Sequence, residues 1–355
     1  MTLAQLGFKD DLEAYRREEG LDSFEVGRVT TEHKERYEVS TELTQYECEL
    51  VGNLRFTAES REDFPAVGDW VAISVYDEGK ALIHHIYPRS SIIERQAAGI
   101  SGQKQIIATN VDFGLIVQAV DRDFNLNRLE RYLTICHSSG VQPVVVLSKT
   151  DMLSQDDLLV FRKNIEDRVE DIKVIIVSNR ISHGYTELET FIQPGKTYCL
   201  LGSSGVGKST LLNHLAGQDL METSAISDSV NKGRHTTSHR ELIVLDKGGI
   251  LIDNPGMREV GITDASGGLD VTFEGILEQS GNCKYKDCSH QNEDGCAVLE
   301  AVENGEISEE AFNNYQKLQR EKEHFESTVH ERRQKDKSFG KLIKNVMKER
   351  KRNKY

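Results

Sequence analysis

Along residues 24–90, apolar and polar positions alternate in short runs broken by turn residues. FEVGRVT, RYEVST, QYECELVGNLRFTA, VGDWVAISV and ALIHHIYP have the period of two that sends successive side chains to opposite faces of a strand. Five such strands in so short a stretch predict a small closed barrel of the oligonucleotide-binding (OB) type, with an SH3-like barrel as the alternative. The preceding residues 1–22 have helical spacing (Leu3, Leu6, Phe8, Leu12, Tyr15) and stop near Gly20, which predicts a helical extension. Residues 88–105 are polar and glycine-containing and read as a connector.

The period then changes. DFGLIVQAV, QPVVVLS, KVIIVS, TYCLLG, ELIVLD and GILIDNPG are continuous apolar runs, and amphipathic helical segments near 125–140, 155–169 and after Gly207 alternate with them. Strands apolar on both faces need helices on both faces, so a mostly parallel α/β sheet is predicted. From about Ser266 the strand signals end. A cysteine cluster follows, then a long charged helical segment from near Ser308 with Phe312, Tyr315, Leu318 and Phe325 as its apolar positions. The expected organisation is a multidomain chain: an extension at 1–22, an OB barrel at 23–104, an α/β domain at 105–265 and an α-helical, metal-binding domain with a basic tail at 266–355.

Composition supports a globular chain. Of 355 residues, 37% are hydrophobic and 29% charged, and no apolar run approaches the ~18 residues of a membrane span. The N-terminus is acidic and lacks the basic-then-apolar order of a signal peptide, so the cytoplasm is the expected location. No coiled-coil repeat demands a dimer, and a monomer is expected. The net charge of −14 is uneven: residues 331–355 carry eleven Lys or Arg against three acids, a net of +8 that leaves −22 for residues 1–330. An acidic body with a basic tail points to a tail that touches nucleic acid, in a salt-dependent way.

The chemistry centres on GSSGVGKST, residues 202–210, which fits the phosphate-loop pattern G-x-x-x-x-G-K-[ST]. It follows a buried strand and opens a helix. Gly202, Gly205 and Gly207 let the backbone of Gly202, Ser203, Ser204, Gly205, Val206 and Gly207 curl so that its N–H groups face phosphate. Lys208 reaches the β/γ oxygens, and Ser209, next to Thr210, places a hydroxyl on Mg²⁺. Downstream, Asp253 and Gly256 form D-x-x-G: the carboxylate holds Mg²⁺ and the Gly256 N–H senses the γ-phosphate. Between them, SVNKGRHTTSHRE offers Thr237, or its neighbour Thr236, as a further Mg²⁺ ligand and His235 as the residue that positions water. Met257 follows Gly256 where Ras-like GTPases use a glutamine to orient water, so slow intrinsic hydrolysis is expected.

A guanine-reading motif N-K-x-D normally lies after these elements. Here it lies before them, as Ser148-Lys149-Thr150-Asp151 at the end of a buried strand. Asp151 can accept from guanine N1–H and its 2-amino group, a donor pair adenine lacks. Ser148 replaces the usual Asn and is shorter, which predicts a weaker brace on this loop. A further strand ends at Ser178-Asn179, where G proteins usually carry Ser-Ala. The order of motifs is therefore rotated, with residues 180–196 as the new linker, and the D-x-x-G element leads directly into the last domain.

Cys283-x4-Cys288-x-His290-x5-Cys296 places three thiolates and an imidazole within fourteen residues, the donor set of a closed, structural Zn²⁺ site. Three cysteines leave one over in any disulfide scheme. Cys48, Cys136 and Cys199, isolated in apolar surroundings, read as buried free thiols.

With SKTD, GSSGVGKST, GRHTT, DNPG, a barrel carrying GNLR and PAVGDWV, and the Cys-Cys-His-Cys segment, residues 24–330 resemble the circularly permuted RsgA/YjeQ GTPases of bacteria. The resemblance implies GTP/GDP, Mg²⁺ and one structural Zn²⁺ as cofactors, binding to the small ribosomal subunit and its rRNA late in assembly, and GTP hydrolysis stimulated by that subunit. A P-loop ATPase or kinase, or an RNA-binding scaffold with a weak nucleotide site, are the competing classes. Preference for ATP would support the first, and absence of subunit-stimulated phosphate release the second.

Overall fold

A computed structural model describes residues 1–33, 36–96, 104–121, 124–169, 171–181, 183–218, 240–253 and 267–326. A short helix α1 (Asp10–Glu18) precedes the barrel strands β1 (Glu25–His33), β2 (Arg36–Ser40), β3 (Gln45–Leu50), β4 (Trp70–Asp77) and β5 (Lys80–Ile86). Their order, β1-β2-β3-β5-β4, closes through β1–β4 pairing, and only β3–β5 is parallel. This is the closed five-stranded, OB-like barrel the alternation predicts. Val29, Tyr37, Val39, Cys48, Val71, Ile73, Ala81 and Ile83 fill it. GNLR does not extend β3: residues after Leu50 turn into a short helix α2 (Gly52–Thr57) between β3 and β4.

The connector is a correction. It contains an antiparallel ribbon, β6 (Ile92–Gln96) paired with β7 (Lys104–Thr109). Ile93 and Ile107 enter the core of the following sheet, while the Thr109 N–H and hydroxyl both bond Val67 O at the barrel (3.0 and 3.3 Å). Too few apolar residues on β6, and polar neighbours on either side of them, hid the pairing, although residues 106–109 of β7 are buried.

The second half of the sheet is built from β8 (Phe113–Ala119), β9 (Gln142–Ser148), β10 (Lys173–Ile176), β11 (Thr197–Leu201), β12 (Glu241–Val244) and β13 (Ile250–Asp253), in the order β10-β9-β8-β11-β13-β12. All neighbours are parallel except β12–β13. Helices α3 (Leu126–Ser138) and α4 (Gln155–Glu166) pack on one face, and α5 (Thr186–Phe191) and α6 (Lys208–Ala216) on the other. The strand that feeds the phosphate loop, β11, returns to the middle of the sheet after β8–β10 are laid down, which is the rotated order read in the sequence. At its far edge β12 pairs with β1 (Thr31 opposite Glu241), joining sheet and barrel in one hydrogen-bonded array.

The N-terminal extension is helical only at Asp10–Glu18, a shorter helix than its spacing predicts. Leu6, Phe8, Leu12 and Tyr15 pack with Trp70 and Tyr87 over the barrel's outer wall, Phe8 meeting Trp70 edge-on at 4.9 Å. Beneath them Arg28 is fully buried. It donates to Leu6 O (2.6 Å), Gly68 O (3.1 Å), Asn110 O (3.2 Å) and Thr197 Oγ1 (3.0 Å), tying extension, barrel and sheet together. Burial lowers its pKa to about 10, so it stays charged at neutral pH.

The last unit is α-helical: α7 (Gly268–Thr272), α8 (Glu274–Ser280), α9 (Ala297–Glu303) and α10 (Glu309–Glu326), around Leu269, Phe273, Ile276, Val298, Phe312 and Leu318.

Candidate nucleotide site and metal centre

The phosphate loop follows Leu201, the last residue of β11, and ends where Gly207 caps α6 at Lys208. Gly202 takes φ +138°, and a Cβ there would lie 2.5 Å from Val117 O, so only glycine lets the loop leave the strand pressed against β8. Val206 is buried under the loop, Ser203, Ser204, Lys208, Ser209 and Thr210 are half-buried, and Gly205 is exposed. Lys208 Nζ lies across the loop, donating to Gly202 O (2.8 Å) and Ser203 O (2.5 Å). Asp253, buried at the end of β13, follows the Cys199–Ile252 pair and so stands beside the last residues of β11. His235, Thr236, Thr237, Gly256, Met257 and the basic tail lie outside the described residues.

The base motif is brought to the phosphate loop by one hydroxyl. Ser148, at the end of β9, donates to Val206 O at 2.6 Å and leans on Gln118 O at 3.3 Å. The shorter serine makes a brace here because the loop carbonyl comes close to it. Lys149 adopts left-handed φ (+59°), and its Nζ pairs with Asp121 Oδ2 at 2.7 Å. Thr150 Oγ1 bonds Val177 O (3.1 Å), drawing the motif to Ser178, two residues beyond β10. Ser178 Oγ in turn donates to Asp151 Oδ1 (2.7 Å), which fixes the carboxylate plane, and Arg180 Nε lies 3.6 Å from Asp151 Oδ2. Asp121 and Arg180 were not singled out by motif. Asp121 follows a β-strand end, the one sequence signal that could have marked it. Replacing Ser148 by Ala leaves the Val206 carbonyl without this donor and should weaken GTP and GDP binding about tenfold, on the order of 1–2 kcal/mol; titration with a fluorescent nucleotide checks it.

The four metal-ligand candidates converge. One ligand atom from each of Cys283, Cys288, His290 and Cys296 lies within 4.8 Å of the others. Cys283 Sγ is 3.6 Å from His290 Nδ1 and 3.9 Å from Cys296 Sγ, and His290 Nδ1 is 3.3 Å from Cys296 Sγ. A tetrahedron with metal–sulfur bonds of about 2.3 Å and metal–nitrogen bonds of about 2.0 Å has edges of about 3.5–3.8 Å. The three separations among Cys283, His290 and Cys296 match those edges to within a few tenths of an ångström, and Cys288 supplies the fourth donor within the 4.8 Å that bounds the set. Sequence reading missed Glu293. Its carboxylate accepts from the Ser289 hydroxyl and from the N–H groups of Ser289, Gln291 and Asn292, which hold its pKa well below the usual range and shape the turn that carries His290 at φ +56°.

A family model described as RsgA GTPase matches residues 86–263. A protein of Bacteroides thetaiotaomicron, small ribosomal subunit biogenesis GTPase RsgA 1, is 38% identical over 352 residues, 98% of this chain and 97% of its own length. The chain belongs to the RsgA GTPase family. Small ribosomal subunit biogenesis GTPase RsgA 2 of Lactiplantibacillus plantarum is 43% identical over 296 residues, 83% of each chain. Among solved structures, YjeQ from Thermotoga maritima superposes with a TM-score of 0.61 at 26% identity, covering 86% of this chain and 99% of that one. YloQ, described as a circularly permuted GTPase, has the same TM-score at 24% identity and supports the fold. A second family model, ABC transporter, matches residues 185–346. It shares the phosphate loop, but it leaves out the base motif at Ser148–Asp151 and the barrel, both of which lie within the match to the Bacteroides RsgA protein. Among the described residues no helix is long and apolar enough to cross a membrane.

Proposed function

We propose that this chain is a cytoplasmic, monomeric GTP hydrolase that binds the small ribosomal subunit late in its assembly and is stimulated by it. The observation that carries the reading is the Ser148–Val206 bond, which sets a carboxylate suited to guanine and a phosphate loop into one site. The relatives named above are small ribosomal subunit biogenesis GTPases, and that partner is carried to this chain as part of the proposal. The working division is an extension at 1–22, a barrel at 23–104, a GTPase domain at 105–265 and a metal-binding unit at 266–355.

In the nucleotide site Asp151 reads guanine, Lys149 lies along the base and Ser178 holds Asp151 in plane. Backbone N–H groups of residues 203–208 and Lys208 take the phosphates, Lys208 exchanging its loop carbonyls for β/γ oxygens. Ser209, Asp253 and Thr237 hold Mg²⁺, which when bound neutralises the charge that grows on the bridging and terminal oxygens. Gly256 senses the γ-phosphate through its N–H, and His235 positions the attacking water. The three thiolates and His290 hold one Zn²⁺ that is structural, since no coordination position is left open. Barrel, metal unit and basic tail contact rRNA, while the acidic body limits indiscriminate binding.

Co-sedimentation tests the partner. The protein with a non-hydrolysable GTP analogue should pellet with small subunits, less so with GDP. Raising salt should weaken the complex steeply, as counterion release demands. Binding that ignores both nucleotide and salt would contradict the reading.

A further inference from the structure

Helix α3 is amphipathic in sequence, yet two of its polar faces are occupied. Leu129, Leu133 and Cys136 sink into the sheet. Arg128, at the helix start, donates through Nη1 to Ser203 Oγ in the phosphate loop (2.8 Å), and the buried Tyr132 hydroxyl, one turn on, bonds the same serine. The third face carries the last unit. Arg131 grips Glu321 of α10 through Nη1 and Nη2 (2.7 and 2.7 Å). Glu130, only 2% exposed, accepts from Asn314 Nδ2 and from Arg168 Nε, and Arg168 also bonds Ser308 Oγ (2.7 Å). Toward the helix end Thr134 and His137 meet Thr272 Oγ1 (3.2 and 3.1 Å). Here α7 presses so close that a Cβ on Gly268 would lie 2.5 Å from Thr134 O. Gln316 Nε2 of α10 reaches His290 O (3.0 Å), so the metal turn is tied to the same assembly.

We propose that α3 is a strut through which the seating of residues 267–326 sets the position of Ser203, and with it the phosphate loop, with Arg128 as a positioning residue and the Arg131–Glu321 fork as the clamp. A helix locked into a sheet does not bend; it shifts as a body by about 1–2 Å when a neighbour slides. A bidentate guanidinium–carboxylate pair has one good geometry, so it registers such a slide rather than absorbing it. The Arg128 end, resting on Ser203, carries the shift to the loop. This route is separate from the chain connection through Asp253, and it rests on the proposed reading of subunit-stimulated hydrolysis.

The test uses full-length protein and purified small subunits. Arg131→Ala and Glu321→Ala should each keep GTP affinity, intrinsic hydrolysis and subunit binding within about twofold, while subunit-stimulated kcat falls about tenfold. The reversed pair, Arg131→Glu with Glu321→Arg, should restore stimulation; Arg128→Ala should lower it in a way the reversed pair does not rescue. Undiminished stimulation in both single variants, or a reversed pair as impaired as they are, overturns the strut while leaving the GTPase reading intact. No stimulation of the unmodified protein overturns both. Because coupling is reciprocal, hydrogen exchange of Glu309–Glu326 in the unmodified protein should differ between GDP and a non-hydrolysable GTP analogue. Identical exchange in the two states would also overturn it.

Discussion

Lys208→Ala is expected to lower kcat/KM for GTP hydrolysis by about three orders of magnitude while leaving the thermal unfolding temperature nearly unchanged. The ammonium is the strongest donor at the phosphate loop, in a half-buried position where water screens it less than at the surface. Removing one such donor from the charge that grows on transferring phosphate costs on the order of 10²–10³ in rate, and ground-state affinity falls as well. Folding should tolerate its loss, because Gly202 O and Ser203 O, to which it donates, are carbonyls of its own loop rather than of another packed element. Steady-state phosphate release alongside a melting curve separates the two effects. A variant with near-normal turnover would remove the phosphate loop from the chemistry.

The second large effect concerns the metal. Chelation, or Cys296→Ser, should unfold residues 267–326 and abolish subunit binding, while intrinsic GTP hydrolysis survives within a fewfold. Cys296 is buried, is one of the four candidate ligands and caps α9, its Sγ accepting from Leu299 N at 3.5 Å. Among the described residues the apolar core of this unit is a small cluster of seven buried side chains, Cys296 among them, with Cys283 and Cys288 packed against it. Structural zinc supplies about 10–16 kcal/mol in small metal-folded units, more than so small a core supplies. Far-UV circular dichroism and limited proteolysis read the loss, and metal analysis of the untreated protein should give one zinc per chain. A chelated protein that keeps its helices and its subunit affinity would show that the cluster is incidental.

Sequence and structure agree most closely where chemistry fixes spacing. The phosphate loop, the base motif placed ahead of it and the Cys3His cluster were all readable, because each needs particular residue types at particular separations. The five barrel strands were readable from their alternation. What escaped were contacts made by distant parts of the chain. The β6–β7 ribbon carries too few apolar residues to show a period, and it is a strand pair because Ile93 and Ile107 find a core supplied by α3 and β8. The N-terminal extension has a helical pattern for longer than it has a helix, because Leu3, Leu6 and Phe8 are arranged by the wall of Trp70 and Tyr87 rather than by helical hydrogen bonds. Ser148 read as a weak substitute for Asn, since sequence cannot report how near Val206 O approaches. On α3, which the sequence shows only as an amphipathic helix, the arrival of Asn314 and Arg168 from other elements explains why the Glu130 carboxylate is buried.

A guanine-specific hydrolase whose rate is set by the small ribosomal subunit must show both properties in one assay. The most direct measurement is phosphate release from GTP and from ATP, each with and without purified small subunits. GTP turnover should be slow alone and rise more than about tenfold with subunits, with little ATP turnover under either condition. Equal use of ATP, or a GTP rate that subunits leave unchanged, would contradict this reading.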